Sequence, residues 1–242
     1  MELSTVDSTN NYALTLVKNN LAEHGTIVFA HHQTAGKGQR GKTWITEPNS
    51  NLTLSAILRT NFLPLHQQFV FSAAMALAVQ QFFNNYTAND TVIKWPNDIY
   101  WNDRKAGGIL IENSISGNGV WHWAVVGIGL NIQQTQFPHW LPNPVSLQQI
   151  TGKKYDCLQL AQALCPFLQH YYGLLLQGAY TTILQQYNNC LYKKASTVQL
   201  RKNNVVFNTL IQGVDEQGYL LTGDTYIQRY CFGEVEWLIP KK

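Results

Sequence analysis

"AGKGQRGKT", Ala35 to Thr43, matches G-x-x-x-x-G-K-[ST] letter for letter through Gly36, Gly41, Lys42 and Thr43. In P-loop NTPases that pattern lets backbone amides cradle nucleotide phosphates. The fold turns on whether the match is real, because a P-loop leaves a buried strand directly and opens a helix whose N-terminus faces the phosphates. Neither neighbour suits. "TIVFA" (Thr26 to Ala30) reads as a strand, but "HHQTA" separates it from Gly36, and "WITEPNSN" after Thr43 carries Pro48 among Asn and Ser, which forbids a helix. The composition predicts an anion-cradling loop of another kind. Gly36, Gly38 and Gly41 permit close backbone approach, and Lys37, Arg40 and Lys42 supply cations.

Working outward, "NLTLSAILR" alternates like a strand after the turn signal "EPNSN", and "FVFSAAMALAVQQFF" is apolar on nearly every face, which predicts a buried helix packed on a sheet. "NNYALTLVKNN" predicts an earlier helix, with Ser8 or Thr9 as its cap. "TVIKW", "AGGILIEN" and "WHWAVVGIGLNI" read as further strands. Helical spacing from Asp156 to Gly178 is interrupted by Pro166, and "AYTTILQQYNNCLY" predicts another helix. From about Ala195 only short strands follow, separated by "KNN", "DEQG" and "GDT", the turn chemistry of a small barrel or meander. The expected class is α+β, a mixed sheet flanked by helices over residues 1–192 with a small β domain over 193–242.

The chain has 242 residues, enough for one large domain with a small appendage, and a formal net charge of +3. So small a charge argues against general nucleic-acid or membrane-surface binding. Cys157, Cys165, Cys190 and Cys231 form no C-x-x-C pair or zinc-spaced group, so they read as reduced thiols. The N-terminus has no leader pattern and no stretch reaches the roughly 18 apolar residues of a membrane span, so the expected location is cytoplasmic.

Taken together, "DSTN" (Asp7 to Asn10), "QTAGKGQRGKTW" (Gln33 to Trp44), "KWPNDIY" (Lys94 to Tyr100), "RKAGGILIE" (Arg104 to Glu112) and "VGIGLNI" (Val126 to Ile132) resemble the ordered signature of biotin protein ligases. The resemblance implies a mixed-sheet catalytic domain followed by a small SH3-like barrel. It also implies ligation of biotin to one lysine of a biotin carboxyl carrier domain, with ATP and magnesium, through biotinyl-5′-AMP. Biotin's carboxylate must then meet the α-phosphate, and two unit charges about 4 Å apart repel by roughly 4 kcal/mol at an effective dielectric near 20. Fixed cations therefore matter more than any general base.

The resemblance assigns Lys105 to that junction, touching both the biotin carboxylate and the α-phosphate, with Gly107 and Gly108 allowing a ligand close to the backbone. It gives Lys37, Gly38 and Gln39 to biotin contact, and Arg40 and Lys42 to phosphate. Many relatives carry arginine where this chain has Gln39, so Arg40 is expected to compensate in retaining the adenylate. Ser8, Thr9, Asn10 and Gln33 offer neutral donors and acceptors to a ureido ring. Trp44 is similar to the tryptophan that stacks on adenine. Pro96 fixes a turn presenting Asn97 and Asp98, whose carboxylate can orient a metal, ribose or incoming lysine, and Lys94 is read as snorkelling or pairing with Asp98. Asn131 is the candidate magnesium ligand. Gly127 and Gly129 lack the third glycine of a dinucleotide fingerprint.

"LSTVDSTN" so early in the chain leaves no room for the helix-turn-helix that makes some relatives repressors, so a ligase without that role is expected. Edge-strand pairing through the sheet, as in relatives, would make a homodimer. The alternatives are a lipoate or octanoate ligase or transferase of the same superfamily, or a noncatalytic biotin-binding protein.

Overall fold

The computed structural model describes residues 1–240. Its larger sheet has seven strands: β1 (Glu2–Val6), β2 (Thr26–Gln33), β3 (Asn51–Arg59), β4 (Thr91–Lys94), β5 (Asp98–Trp101), β6 (Arg104–Ile115) and β7 (Trp121–Asn131), in the spatial order β1-β2-β3-β7-β6-β5-β4. β1 runs parallel to β2 and all other neighbours are antiparallel, so the sheet is mixed, as expected. The helices are α1 (Thr9–Lys18), α2 (Gln68–Asn84), α3 (Leu147–Thr151), α4 (Cys157–Leu176) and α5 (Tyr180–Asn189).

The period of two along the central strands divides the molecule. Leu52, Leu54, Ala56 and Leu58 of β3, with Ala124, Val126, Ile128 and Leu130 of β7, point into the main core under α2 and α4. The intervening positions face the other way. There Ile57 and Val125 pack on Ala13 and Val17 of α1, while Ser55, Gly127 and Gly129 belong to the functional side. α2 is apolar all round because it is covered on both sides, by the sheet and by α4 and α5. Truncating a fully buried ring there, as in Phe71→Ala, costs about 3–5 kcal/mol.

Two local outcomes differ from expectation. α4 does not break at Pro166 but runs through it. Pro166 and Gln162, whose carbonyl the proline leaves without a helical donor, are both exposed, so the interruption falls on the solvent side of the helix, while Leu160, Leu164, Leu168 and Leu175 bury the opposite stripe. "KWPND" is also not the end of a lone strand. It is the bend of a hairpin whose second arm, β5, pairs Lys94 with Asp98 and Ile93 with Ile99. Asn102 and Asp103, both at positive φ (44° and 63°), then turn β5 into β6.

Beyond α5 come β8 (Thr197–Lys202), β9 (Val205–Val214), β10 (Leu220–Thr222), β11 (Gln228–Tyr230) and β12 (Glu236–Trp237), a five-stranded antiparallel sheet ordered β11-β10-β9-β8-β12. This is consistent with a small SH3-like barrel, although among the described residues no ladder joins β11 to β12. Its apolar face, including Leu200, Ile211 and Leu220, is continuous with the main core. The Asn188 side chain bonds both the N–H (2.7 Å) and the carbonyl (2.9 Å) of Val214, and Trp95 Nε1 donates to the Gly218 carbonyl at 3.0 Å, fixing the two sheets against each other.

Candidate functional site

A cavity of about 690 Å³ opens on the functional side of the larger sheet, walled by the N-terminus of α1, the loop 36–45 and the segment 232–239. It has three chemically distinct zones.

The first zone is neutral and rich in hydrogen-bonding groups. Ser8 occupies the N-cap position of α1 but makes no side-chain cap bond, contrary to the capping role expected of it. The first turn is satisfied from outside instead: Gln33 Oε1 accepts from the Thr9 N–H (2.8 Å) and the Thr9 hydroxyl (3.1 Å). Asn10 is 3 % exposed and held at both ends of its amide. Its nitrogen donates to Glu112 Oε2 (2.8 Å) and the Leu110 carbonyl (3.4 Å), and its oxygen accepts from the Ser55 hydroxyl (2.6 Å). Gly127 lies directly beneath it, where a Cβ would stand 2.3 Å from Asn10 Oδ1. Ser8, Thr9, Asn10 and Gln33 therefore line one end of the cavity together. Ser55, Glu112 and Gly127 were not legible as their supports.

The second zone is a row across the sheet. Lys94 of β4 is opposite Asp98 of β5, Asp98 is opposite Gly108 of β6, Gly108 opposite Gly129 of β7, and Gly129 opposite Thr53 of β3. Lys105 Nζ donates to Asp98 Oδ1 at 2.6 Å, so the Lys94–Asp98 ion pair that adjacency suggested does not form. A Cβ on Gly108 would fall 3.2 Å from Asp98 Oδ1 and 3.5 Å from Lys105 Nζ, so this glycine makes room for the pair. The Lys105 backbone is clamped as well: its N–H donates to the Asn143 carbonyl (2.7 Å) and its carbonyl accepts from the Val145 N–H (2.9 Å). Gly107 is a correction. It does not line the cavity, and a Cβ there would meet the Leu130 side chain at 2.3 Å, so it serves strand packing on the core side.

The third zone is aromatic and cationic. The Trp44 indole covers Gly129 and stands 5.8 Å from Lys105 Nζ. The loop carrying it is held by a bridge between Lys37 and Thr43, with the Gly38 N–H donating to the Lys42 carbonyl at 2.7 Å and the Trp44 N–H to the Gly36 carbonyl at 2.9 Å. No helix follows, which agrees with the rejection of the P-loop. Arg40 adopts a left-handed conformation (φ 56°) and lies over the Phe232 ring at 5.8 Å, with its guanidinium against Gly233, where a side chain would have no space. Phe232 in turn meets Trp95 edge-on at 5.8 Å. Lys37, Gly38, Gln39 and Lys42 all line the cavity. The contribution of Phe232, Val235, Trp237 and Ile239, from β12 and the segments on either side of it, was missed; the aromatic density of "RYCFGEVEWLI" was its only signal in the sequence.

Asn131 is 4 % exposed, and its amide nitrogen donates to the carbonyls of Val145 (3.1 Å) and Lys105 (3.4 Å). That leaves one neutral amide oxygen for the cavity. Among the described residues no group of three or more His, Cys, Asp or Glu could hold a metal, and Asp98 is already engaged by Lys105. The side chains therefore offer a magnesium ion the Asn131 amide oxygen at most, and the rest of its coordination would come from substrate phosphates and water.

The fold and cavity define a mixed-sheet domain whose cavity is lined by neutral amides, a lysine–carboxylate pair, and a tryptophan under a basic loop. The profile of the biotin/lipoate A/B protein ligase family matches residues 3–131, and the chain belongs to that family. It is 31% identical over 225 residues to the biotin--[acetyl-CoA-carboxylase] ligase of Paracoccus denitrificans, covering 90% of this chain and 92% of that protein. It is also 31% identical over 219 residues to the bifunctional ligase/repressor BirA of Bacillus spizizenii, covering 89% of this chain but spanning only 66% of that relative's length. Among solved structures, the biotin protein ligase from Aquifex aeolicus in complex with biotin and ATP superimposes with a TM-score of 0.81 at 23% identity, over 99% of this chain and 98% of that one.

Proposed function

We propose that this chain ligates biotin to one lysine of a biotin carboxyl carrier domain at the expense of ATP, with residues 1–192 as the catalytic domain and 193–242 as a β domain that closes the site. The observation that carries the proposal is the Lys105–Asp98 pair at 2.6 Å, in the same cavity as the amide zone and Trp44. Support also comes from the similarity to the Paracoccus ligase along nearly the whole length of both chains.

The ureido ring of biotin lies against Ser8, Thr9, Asn10 and Gln33, and its carboxylate reaches Lys105. A carboxylate oxygen forms a bond to the α-phosphorus of ATP, and the bond from that phosphorus to the bridging oxygen breaks, its electron pair leaving on pyrophosphate. Lys105 relieves the repulsion between the two anions, and because it is preorganised it costs no rearrangement in the transition state. Trp44 and Asn131 hold the adenosine end, and Arg40 and Lys42 the phosphates. ATP brings its own magnesium as part of the substrate. In the second step the carrier lysine's amine, oriented by Asp98, forms the amide bond at the mixed-anhydride carbonyl, AMP departs with the electron pair, and the amine's proton is lost to water. Gln39 is neutral, so Arg40, seated on Phe232 and Gly233, retains the adenylate.

The test is mass spectrometry of a purified biotin carboxyl carrier domain incubated with this protein, biotin and Mg-ATP, with lipoate and octanoyl-carrier controls. One biotinyl adduct on one lysine, dependent on ATP, is expected. Tight biotin binding without an adduct would make the protein a noncatalytic binder.

A further inference from the structure

We infer that Lys94, cushioned between the rings of Tyr100 and Trp237, completes with Lys42 and Lys105 a three-cation seat for a polyphosphate, which in the adenylation step receives the outgoing pyrophosphate. The inference rests on the ligase reading for its place in the reaction, but not for the anion site itself.

The Lys94 ammonium lies 5.4 Å from the Tyr100 ring centroid and 5.6 Å from that of Trp237. It lines the cavity, and among the described residues it has neither a hydrogen bond nor an ion pair. Its cross-strand neighbour Asp98 is the natural acceptor, but that carboxylate is bound to Lys105. A cavity-lining cation without an acceptor, resting on two aromatic rings, describes a site for an anion. Electrostatics point the same way. Burial pulls the Lys94 ammonium below the usual lysine range, Asp98 opposes the fall, and Lys105 and Lys42 deepen it. Of the three carboxylates that line the cavity, Asp98 is bound to Lys105, Asp103 to Lys193 and Glu236 to Arg201, so none forms an ion pair with Lys94. The aromatic faces hold the ammonium by their negative quadrupole without offering it an acceptor, so it stays available. When the bond from the α-phosphorus to the bridging oxygen breaks, the electron pair and the new charge collect on pyrophosphate, the group this seat would hold.

Sodium pyrophosphate alone, titrated calorimetrically into the full-length protein, is the direct probe. The wild type should bind it, Lys94→Met should weaken binding by about tenfold or more, and Lys94→Arg should restore part of the loss. Pyrophosphate release from biotin and ATP is then compared with transfer of biotin from supplied biotinyl-5′-AMP to the carrier domain. Lys94→Met should slow the first by about tenfold to a hundredfold more than the second. Trp237→Leu, which keeps the charge but removes one ring, should weaken pyrophosphate binding in the same direction if Lys94→Met fails to fold. A wild type that binds no pyrophosphate, variants that bind it as the wild type does, or equal losses in both half-reactions would overturn the inference. A wild type that cannot use supplied adenylate would sink the ligase reading instead, and the pyrophosphate titration would still decide Lys94.

Discussion

Gly127→Ala places one methyl group where the structure leaves no space. Its Cβ would lie 2.3 Å from Oδ1 and 2.9 Å from Cγ of Asn10, and Asn10 is short and tied down rather than a flexible chain end. The amide must swing out, losing its bonds to Glu112 at 2.8 Å and Ser55 at 2.6 Å. The first is charge-assisted and contributes about 1.5–3 kcal/mol, the second about 0.5–1.5 kcal/mol, so the variant should lose about 2–4 kcal/mol of stability. If Asn10 also bonds the ureido ring, its displacement costs a further 1–2 kcal/mol or so of binding, a rise in biotin Kd of roughly five- to thirtyfold. Calorimetric titration with biotin and thermal melts read the two effects separately. Gly173→Ala is the control: no heavy atom lies within 4 Å of its added Cβ, and in the middle of α4 the change should stabilise by about 0.5–1 kcal/mol. Biotin affinity within about threefold of wild type for Gly127→Ala, with an unchanged melt, would show that Asn10 neither moves nor touches the ligand.

Lys105→Ala should lower adenylation by about 10² to 10³ while leaving the melt intact, measured as pyrophosphate release; near-normal turnover would remove Lys105 from the mechanism. Arg40→Ala removes the contact with Phe232 and Gly233 and should speed escape of biotinyl-5′-AMP by roughly two- to fivefold, followed by chromatography of the released adenylate. Because burial depresses the Lys94 pKa, the unfolded chain binds that proton more tightly than the folded one. The resulting penalty is absent above the ordinary value of 10.5 and grows as pH falls below it, until the folded group is protonated as well. Lys94→Met should therefore melt higher than wild type at neutral pH, with the gap narrowing in alkaline melts; a lower melting temperature for the variant throughout would reject this.

The sequence made the strands and the buried α2 readable because their periods are strong, and it made the loop at Lys37–Lys42 readable because its neighbours contradict a P-loop. β1 escaped notice because "ELSTV" is short, polar and mostly exposed, held by parallel pairing to β2 rather than by an apolar face. β5 escaped because "PND" reads as the end of a strand, although "ND" at 102–103 was a usable hairpin signal. Ser8 sat where a cap belongs, yet Gln33, far along the chain, supplied the acceptor for the first turn. The glycines of "VGIGLN" were the hardest. Their reason is the approach of Asn10 and Trp44 from distant parts of the chain, and spacing within β7 carries no trace of that.

The segment Phe232–Ile239, which walls the cavity beside Lys94 and Arg40, follows every other lining residue in chain order. During synthesis, then, the residues of the amide zone and of the Lys105–Asp98 pair emerge before those that close the cavity, and closure waits until Ile239 has cleared the ribosome. A translation product truncated ahead of that point would leave Arg40 without its seat, so any reactive intermediate it made would be free to diffuse and label whatever amines lay nearby.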